Sequence, residues 1–328
     1  MTIDATLSSD ARLPRPATKH GVTEVIRRGF LNTVANWPIL LIRIGESILL
    51  MLIAVAAVVA VIVPVVLSLG IQAASVQEPA DAAAYLLSIV ADKWAVIAYV
   101  LAVVTVVLAV FVAVHSFVEA GSARVYVDGE RAAGPALDAP RERFRVFSGE
   151  KWVEGGKTDW WSVFWIYNVA WGVAGLILLV PALAMLVLMF VARDNPAAVV
   201  GITCLGLAFF FLFLFAVVVV TNIWCQKAIV VCVARTHRTV GALGEAWREF
   251  RSDAGRHIGV AVILFVLMIA GSGLFASFSA IAGWNDSPTW TLAMMPMQLA
   301  GSFANSIFST IIAAWFLACF ATLAVDRR

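Results

Sequence analysis

Six long apolar runs divide this chain, and 21 of its 23 Lys and Arg residues fall in alternate intervals between them. A helix that crosses the hydrocarbon core of a bilayer needs about 20 mostly apolar residues. The runs near 47–69, 94–116, 162–191, 199–223, 258–282 and 297–325 all meet that requirement. Only Lys93 and Arg193 lie in the remaining intervals. Orientation follows the Lys/Arg bias of short loops, with the basic side cytoplasmic. The pattern predicts an all-α polytopic membrane protein with six transmembrane helices, multi-pass in a cell inner membrane, with both termini cytoplasmic.

Composition agrees. Of 328 residues, 62% are hydrophobic and 13% charged, and the mean hydropathy is +0.93. Soluble domains average about 45–50% apolar and 25% charged residues, so the excess requires lipid as solvent. The runs are continuously apolar rather than alternating, which argues against a barrel. Residues 1–18 are expected to be a disordered cytoplasmic N-terminus and 19–328 a single six-helix membrane domain. The polar start lacks the short apolar core and cleavage site of a signal peptide, so the first span reads as an uncleaved anchor. Net charge is only +2, with both signs interleaved in the same intervals, so nucleic acid is not implied. Cys204, Cys225, Cys232 and Cys319 all lie in or beside spans, where core packing is expected rather than a disulfide.

The spans fall into three hairpins, each preceded by an amphipathic cytoplasmic segment. In the first segment Val22, Val25, Ile26, Phe30, Val34 and Trp37 share a face, with Arg27 and Arg28 opposite. The second places Phe144, Phe147 and Trp152 among Arg141, Arg143, Arg145 and Lys151, and the third places Val240, Leu243, Trp247 and Phe250 at helical spacing. Such helices lie in the interface plane with basic groups toward anionic headgroups. The exits of the second and fourth spans also align without gaps, 117–131 (FVEAGSARVYVDGER) against 224–238 (WCQKAIVVCVARTHR), matching Glu119 with Gln226. Successive units would share one orientation, giving three parallel hairpin repeats about an axis along the membrane normal. The interval 132–159, with Gly134-Pro135, Ala139-Pro140 and Gly155-Gly156, reads as the longest soluble loop.

Small residues recur every four positions in the sixth span, at Ser302, Ser306, Thr310, Ala314, Ala318 and Thr322. Such stripes let helix backbones approach closely in lipid, so they read as packing faces, with a pore lining as the alternative. Trp171 and Trp315 are expected inside the bundle.

Ionisable groups at membrane depth are candidates for function. Arg43 and Glu46 are three apart near the start of the first span and could pair on one helix face, and His115 and Glu119 are four apart at the end of the second. With Gln226 and Lys227 they could form a polar cluster at the cytoplasmic mouth of the bundle. The alternative is local pairing or snorkelling of each group. The four histidines have no metal-ligand spacing, no nucleotide-binding glycine loop follows a strand, and no nucleophile motif is present. No catalytic residue, metal or cofactor is therefore expected.

The tripled segment-plus-hairpin plan, the exit VEAGSARVYVDGER and the Phe-rich segment before the third span resemble the six-helix membrane domain fused to some bacterial glycerophosphodiester phosphodiesterases and its stand-alone relatives. The resemblance covers about residues 20–328 and implies a membrane module without assigned chemistry. The phosphodiesterase activity of such fusions belongs to a separate soluble domain, which has no counterpart here, so no catalytic residues carry over.

The reading that follows is a non-enzymatic module binding membrane lipids, with anionic headgroups at the cytoplasmic face, or another membrane protein. The alternative is a small solute transporter or channel built from three parallel repeats, for which Asn305 is the polar residue nearest the midplane. A membrane-embedded enzyme on lipid phosphates is a third option, for which no acid/base pair is evident.

Overall fold

The computed structural model describes residues 20–69, 94–136, 138–192, 195–235, 238–282 and 287–326. The N-terminal segment expected to be disordered and the whole connection at 70–93 lie outside these residues. Eight α-helices follow in order: α1 (Val22–Ala35), α2 (Pro38–Leu69), α3 (Trp94–Ala133), α4 (Gly149–Val191), α5 (Pro196–Arg235), α6 (Thr239–Ser252), α7 (Ala254–Ala282) and α8 (Pro288–Val325). Six of them, α2 to α5 with α7 and α8, are long and apolar enough to cross a membrane. Among the described residues there is no strand.

Local chemistry explains several boundaries. Asn36 ends α1, and Pro38 opens α2, where a missing N–H costs nothing and φ is already helical. Ser148 caps α4 by accepting from the Lys151 N–H at 3.2 Å. Ser287 caps α8 in the same way through Trp290 N–H at 3.3 Å, followed by Pro288. Gly134 follows the last residue of α3 at φ +71°, a conformation that costs glycine little and other residues much.

The long helices extend well beyond the apolar runs. At 1.5 Å per residue, the 40 residues of α3 make a rod about 60 Å long, roughly twice the hydrocarbon thickness. The two halves of the rods behave differently. No residue in the most apolar window of α3 or α5 is buried. Their apolar side chains face outward, as expected where lipid is as good a neighbour as another helix. Burial is concentrated in the other half: in α3 from Ser116 to Ala133, in α4 from Gly155 to Ala174, and at the C-terminal ends of α5 and α8. The exits of the second and fourth spans are thus helical continuations that form the main core. We refer to this end as the basic end.

The fold differs from the sequence-based expectation in several places. The interval 132–159 is not a long loop, because α4 starts at Gly149 and the connection is only 134–148, holding a short 3₁₀ turn at Arg141–Phe144. Gly155 and Gly156 are helical: a Cβ on Gly155 would come within 2.7 Å of Arg124 Cβ, and one on Gly156 within 2.7 Å of Phe117 Cζ. They are the contact that lets α4 lie directly on α3. Finally, α1 buries polar groups beside apolar ones: Val25 is buried and Val22 and Ile26 pack on the core, as expected, but the polar groups are not all turned outward. Arg28, Asn32 and Thr33 are buried, whereas Phe30 and Trp37 are 44% and 51% exposed.

The small-residue stripe of α8 divides at the same level. Ala314, Ala318 and Thr322 are buried, while Ser302 and Ser306 are exposed and Thr310 is half-buried. Trp171 is exposed rather than packed inside. Trp315 is packed, donating its indole N–H to Ile26 O at 2.9 Å against Phe30.

Candidate functional site

Two polar assemblies occupy the basic end. The first ties helix ends together. The C-terminal ends of α3, α5 and α8 meet there, each with backbone carbonyls that the helix itself leaves unpaired. Arginines supply the missing donors. Arg28 of α1 donates to Gly134 O and Ala136 O, at 2.7 and 2.6 Å, just beyond α3. Arg131 donates to Ala234 O of α5 at 2.6 Å, and Arg235 to Ala324 O of α8 at 3.2 Å. Arg141 donates to Val34 O at the end of α1 at 3.2 Å. A cation at a helix C-terminus also opposes the negative end of the macrodipole. A good part of the basic census therefore serves as helix C-caps, in addition to any role in orientation.

Buried ion pairs lock this collar. Arg28 Nε donates to Glu130 Oε1 at 2.7 Å, both side chains being almost fully buried, and the guanidinium lies 5.3 Å from the centre of the Phe144 ring. Glu130 also accepts from Thr322 Oγ1 at 3.2 Å, so one carboxylate joins α1, α3 and α8. Asn32 donates to Tyr126 O at 2.8 Å, and a Cβ on Gly129 would come within 2.6 Å of Asn32 Oδ1. Asn36 donates to Phe144 O at 2.8 Å and accepts from Val146 and Phe147 N–H at 3.1 and 3.0 Å, which pins the connection between α3 and α4 onto α1. Lys227 pairs with Glu249 of α6 at 2.8 Å, and Arg235 reaches the same carboxylate at 2.7 Å. Burial would push the Glu249 carboxyl up, but Lys227 and Arg235 beside it hold it below its ordinary range. His20 and Asp326, near the two ends of the described chain, pair with each other, and Arg256 of α7 donates to both.

The second assembly is a cleft of about 290 Å³ between α5, α7 and α8, with a polar floor supplied by α2, α3 and α5. Its walls are apolar, formed by Val219, Leu264, Phe265, Met268, Ile312 and Phe316. Its rim includes Phe215, Val262 and Ala313, which are exposed on the apolar flank of the bundle. Arg43, His115, Glu119, Asn222 and Gln226 make the floor.

Five of the six polar residues picked from the sequence gather at or beside this floor, but their pairing differs from expectation. Arg43 pairs with Glu119 across α2 and α3 rather than with Glu46 on its own helix. Glu46 accepts from His115 at 2.7 Å, and the other ring nitrogen of His115 meets Tyr167 Oη of α4 at 3.0 Å. Both pairs therefore run between helices and not along one helix face. Lys227 is the exception, since it points to Glu249 on the far side of α5. Glu119 and Gln226, matched in the alignment of the two helix exits, both line the cleft. Tyr167 escaped the sequence reading because a tyrosine near a span end reads as an interface anchor. Asn168 bonds back to Phe164 O of its own helix and takes no part in the cluster. Among the described residues, no three His, Cys, Asp or Glu side chains assemble as a metal site, and all four cysteines are free.

The six apolar helices and this buried polar end define a multi-pass integral membrane protein. No family model matches the chain, and neither curated proteins nor solved structures offer a match.

Proposed function

We propose that this protein is a non-enzymatic, lipid-binding module of an inner membrane, with both termini cytoplasmic, and that its occupant enters sideways from the bilayer. The observation that carries the reading is the cleft between α5, α7 and α8, with apolar walls, a rim of exposed apolar residues and a polar floor. Ligand sites in proteins typically show this combination of mainly apolar lining and a few convergent polar groups. A non-enzymatic role is supported by how the acid/base groups are engaged: Glu119 is held by Arg43, and His115 lies between Glu46 and Tyr167. The resemblance proposed from the sequence, to the membrane domain of phosphodiesterase fusions, is in keeping with this reading, since that domain is a membrane module separate from the catalytic one.

The test is purification in mild detergent followed by mass spectrometry of bound lipid. Wild-type protein should retain lipid, and Ala313→Trp or Val262→Trp, each placing an indole at the rim, should lower its occupancy at least fivefold with helicity unchanged. Equal retention by wild type and both variants would remove the cleft from consideration. The transporter reading has one observation in its favour, the buried Asn305 Oδ1 without a hydrogen-bond partner. Solute flux in proteoliposomes that disappears with Asn305→Leu would establish it instead.

A further inference from the structure

The charges of the cleft floor restrict what kind of headgroup it can hold. Arg43 is the single guanidinium there, and its charge is already matched by Glu119. The neighbouring His115 is hydrogen-bonded to Glu46, which stands behind the floor, so each carboxylate at this site already has a partner. A phosphate or carboxylate headgroup would have to displace Glu119 from Arg43 and leave that carboxylate buried and unpaired, which is strongly unfavourable. An ammonium headgroup meets the opposite difficulty. Both carboxylates are occupied, and the amine would bring further N–H donors against a guanidinium.

The unfilled hydrogen-bonding capacity of the floor points elsewhere. Arg43 Nε–H, a donor, and Gln226 Oε1, an acceptor, are both buried without a partner, and both residues line the cleft. Buried polar atoms left unmatched are costly, so a ligand that completes them gains selectively. A hydroxyl group is the smallest headgroup that accepts from one and donates to the other at once. Asn222, also on the floor, offers an amide to a second oxygen. The apolar part sets the size. About 290 Å³ lies just below the roughly 300–1,000 Å³ usual for ligand pockets, so it takes part of one hydrocarbon chain and leaves the rest in the bilayer.

From these observations, and resting on the lateral-cleft reading above, we infer that the cleft binds an uncharged amphiphile with a hydroxyl headgroup, in preference to anionic phospholipid. The hydroxyl bridges Arg43 and Gln226, and the chain lies between α5 and α7 over α8.

The experiment titrates delipidated protein in maltoside detergent at neutral pH with four chains of equal length: hexadecan-1-ol, hexadecanoate, hexadecyl phosphate and hexadecylamine. Binding is read by native mass spectrometry. Hexadecanol should bind about tenfold more tightly than any charged chain, the scale of one hydrogen-bonded polar group completed rather than left unmatched. Gln226→Leu should remove that preference, and Ala313→Trp should weaken all binding. If a charged chain binds as well as hexadecanol and is lost in Ala313→Trp, the headgroup assignment is overturned while the cleft stands. If no chain binds, or binding ignores both Ala313→Trp and Val262→Trp, the lateral-cleft reading fails and the headgroup assignment with it.

Discussion

Single side chains at the basic end carry unusual weight because so many are ionised and buried. The Arg28–Glu130 pair shows how they differ from surface salt bridges. Exposed pairs such as Arg27 with Asp138 contribute little, whereas removing one member of a buried pair leaves an uncompensated charge. Glu130→Leu alone should cost about 3–5 kcal/mol in a detergent unfolding titration followed by circular dichroism. Arg28→Met combined with Glu130→Leu should recover most of that loss. Recovery should be incomplete, since Arg28 also donates to Gly134 O and Ala136 O, at about 1 kcal/mol for each net hydrogen bond. A double variant no better than Glu130→Leu would show that the pair is not the source of the cost. None of this was visible from the chain alone, where Arg28 stands on the polar side of an amphipathic repeat and reads as a solvent-facing charge. Its burial depends on residue 130, about a hundred positions away.

At the scale of elements, α6 is held to the bundle by its buried Ala242, Leu243, Ala246 and Phe250, by the Trp224 indole N–H on Leu243 O, by Glu245 paired with Arg235, and by Glu249, which is flanked by Lys227 and Arg235. The folded carboxyl titrates below its unfolded value of about 4.3. Its contribution is therefore complete above that pH and is lost as pH falls through the lower, folded value. Amide hydrogen exchange should find α6 protected down to about pH 4 and loosened only below it. Glu249→Gln should loosen α6 already at neutral pH. Opening of wild-type α6 between pH 5 and 7 would contradict this account. The sequence located α6 well, because apolar residues at 3–4 spacing are a local property. It misjudged the length of α3, α4 and α5 for an equally physical reason. Hydropathy marks where a helix contacts lipid, and these helices continue as ordinary protein-packed helices through Ser116 to Ala133, Gly149 to Ser162 and Ile223 to Arg235. A Gly155-Gly156 pair reads as a turn until α3 is known to lie against it.

For the whole molecule, the lopsided basic residues acquire a second meaning. Three returning helices end together, and the arginines gathered there complete carbonyls of α5 and α8 and hold the chain just past α3, in addition to the orientation they predict. Orientation is testable directly. Single cysteines at Ser148 and Ser252, on a background lacking the four native ones, should react with an impermeant maleimide only after membrane vesicles are turned inside out. A cysteine at Ser287 should react in right-side-out vesicles. The reverse pattern would invert the topology, and labelling of all three from one side would exclude six crossings.

Six spans and their periodic apolar faces were decided by the sequence alone, since the cost of placing a residue in hydrocarbon depends on that residue and its near neighbours. The gathering of Arg43, Glu119, His115 and Gln226 at one floor, the crossing of their expected pairs, and the open apolar cleft above them were decided only by the tertiary structure. Helices of similar hydropathy can pack in many orders in lipid, and only close approach at residues such as Gly29, Gly121, Gly129 and Gly155, together with the buried ion pairs, selects one of them.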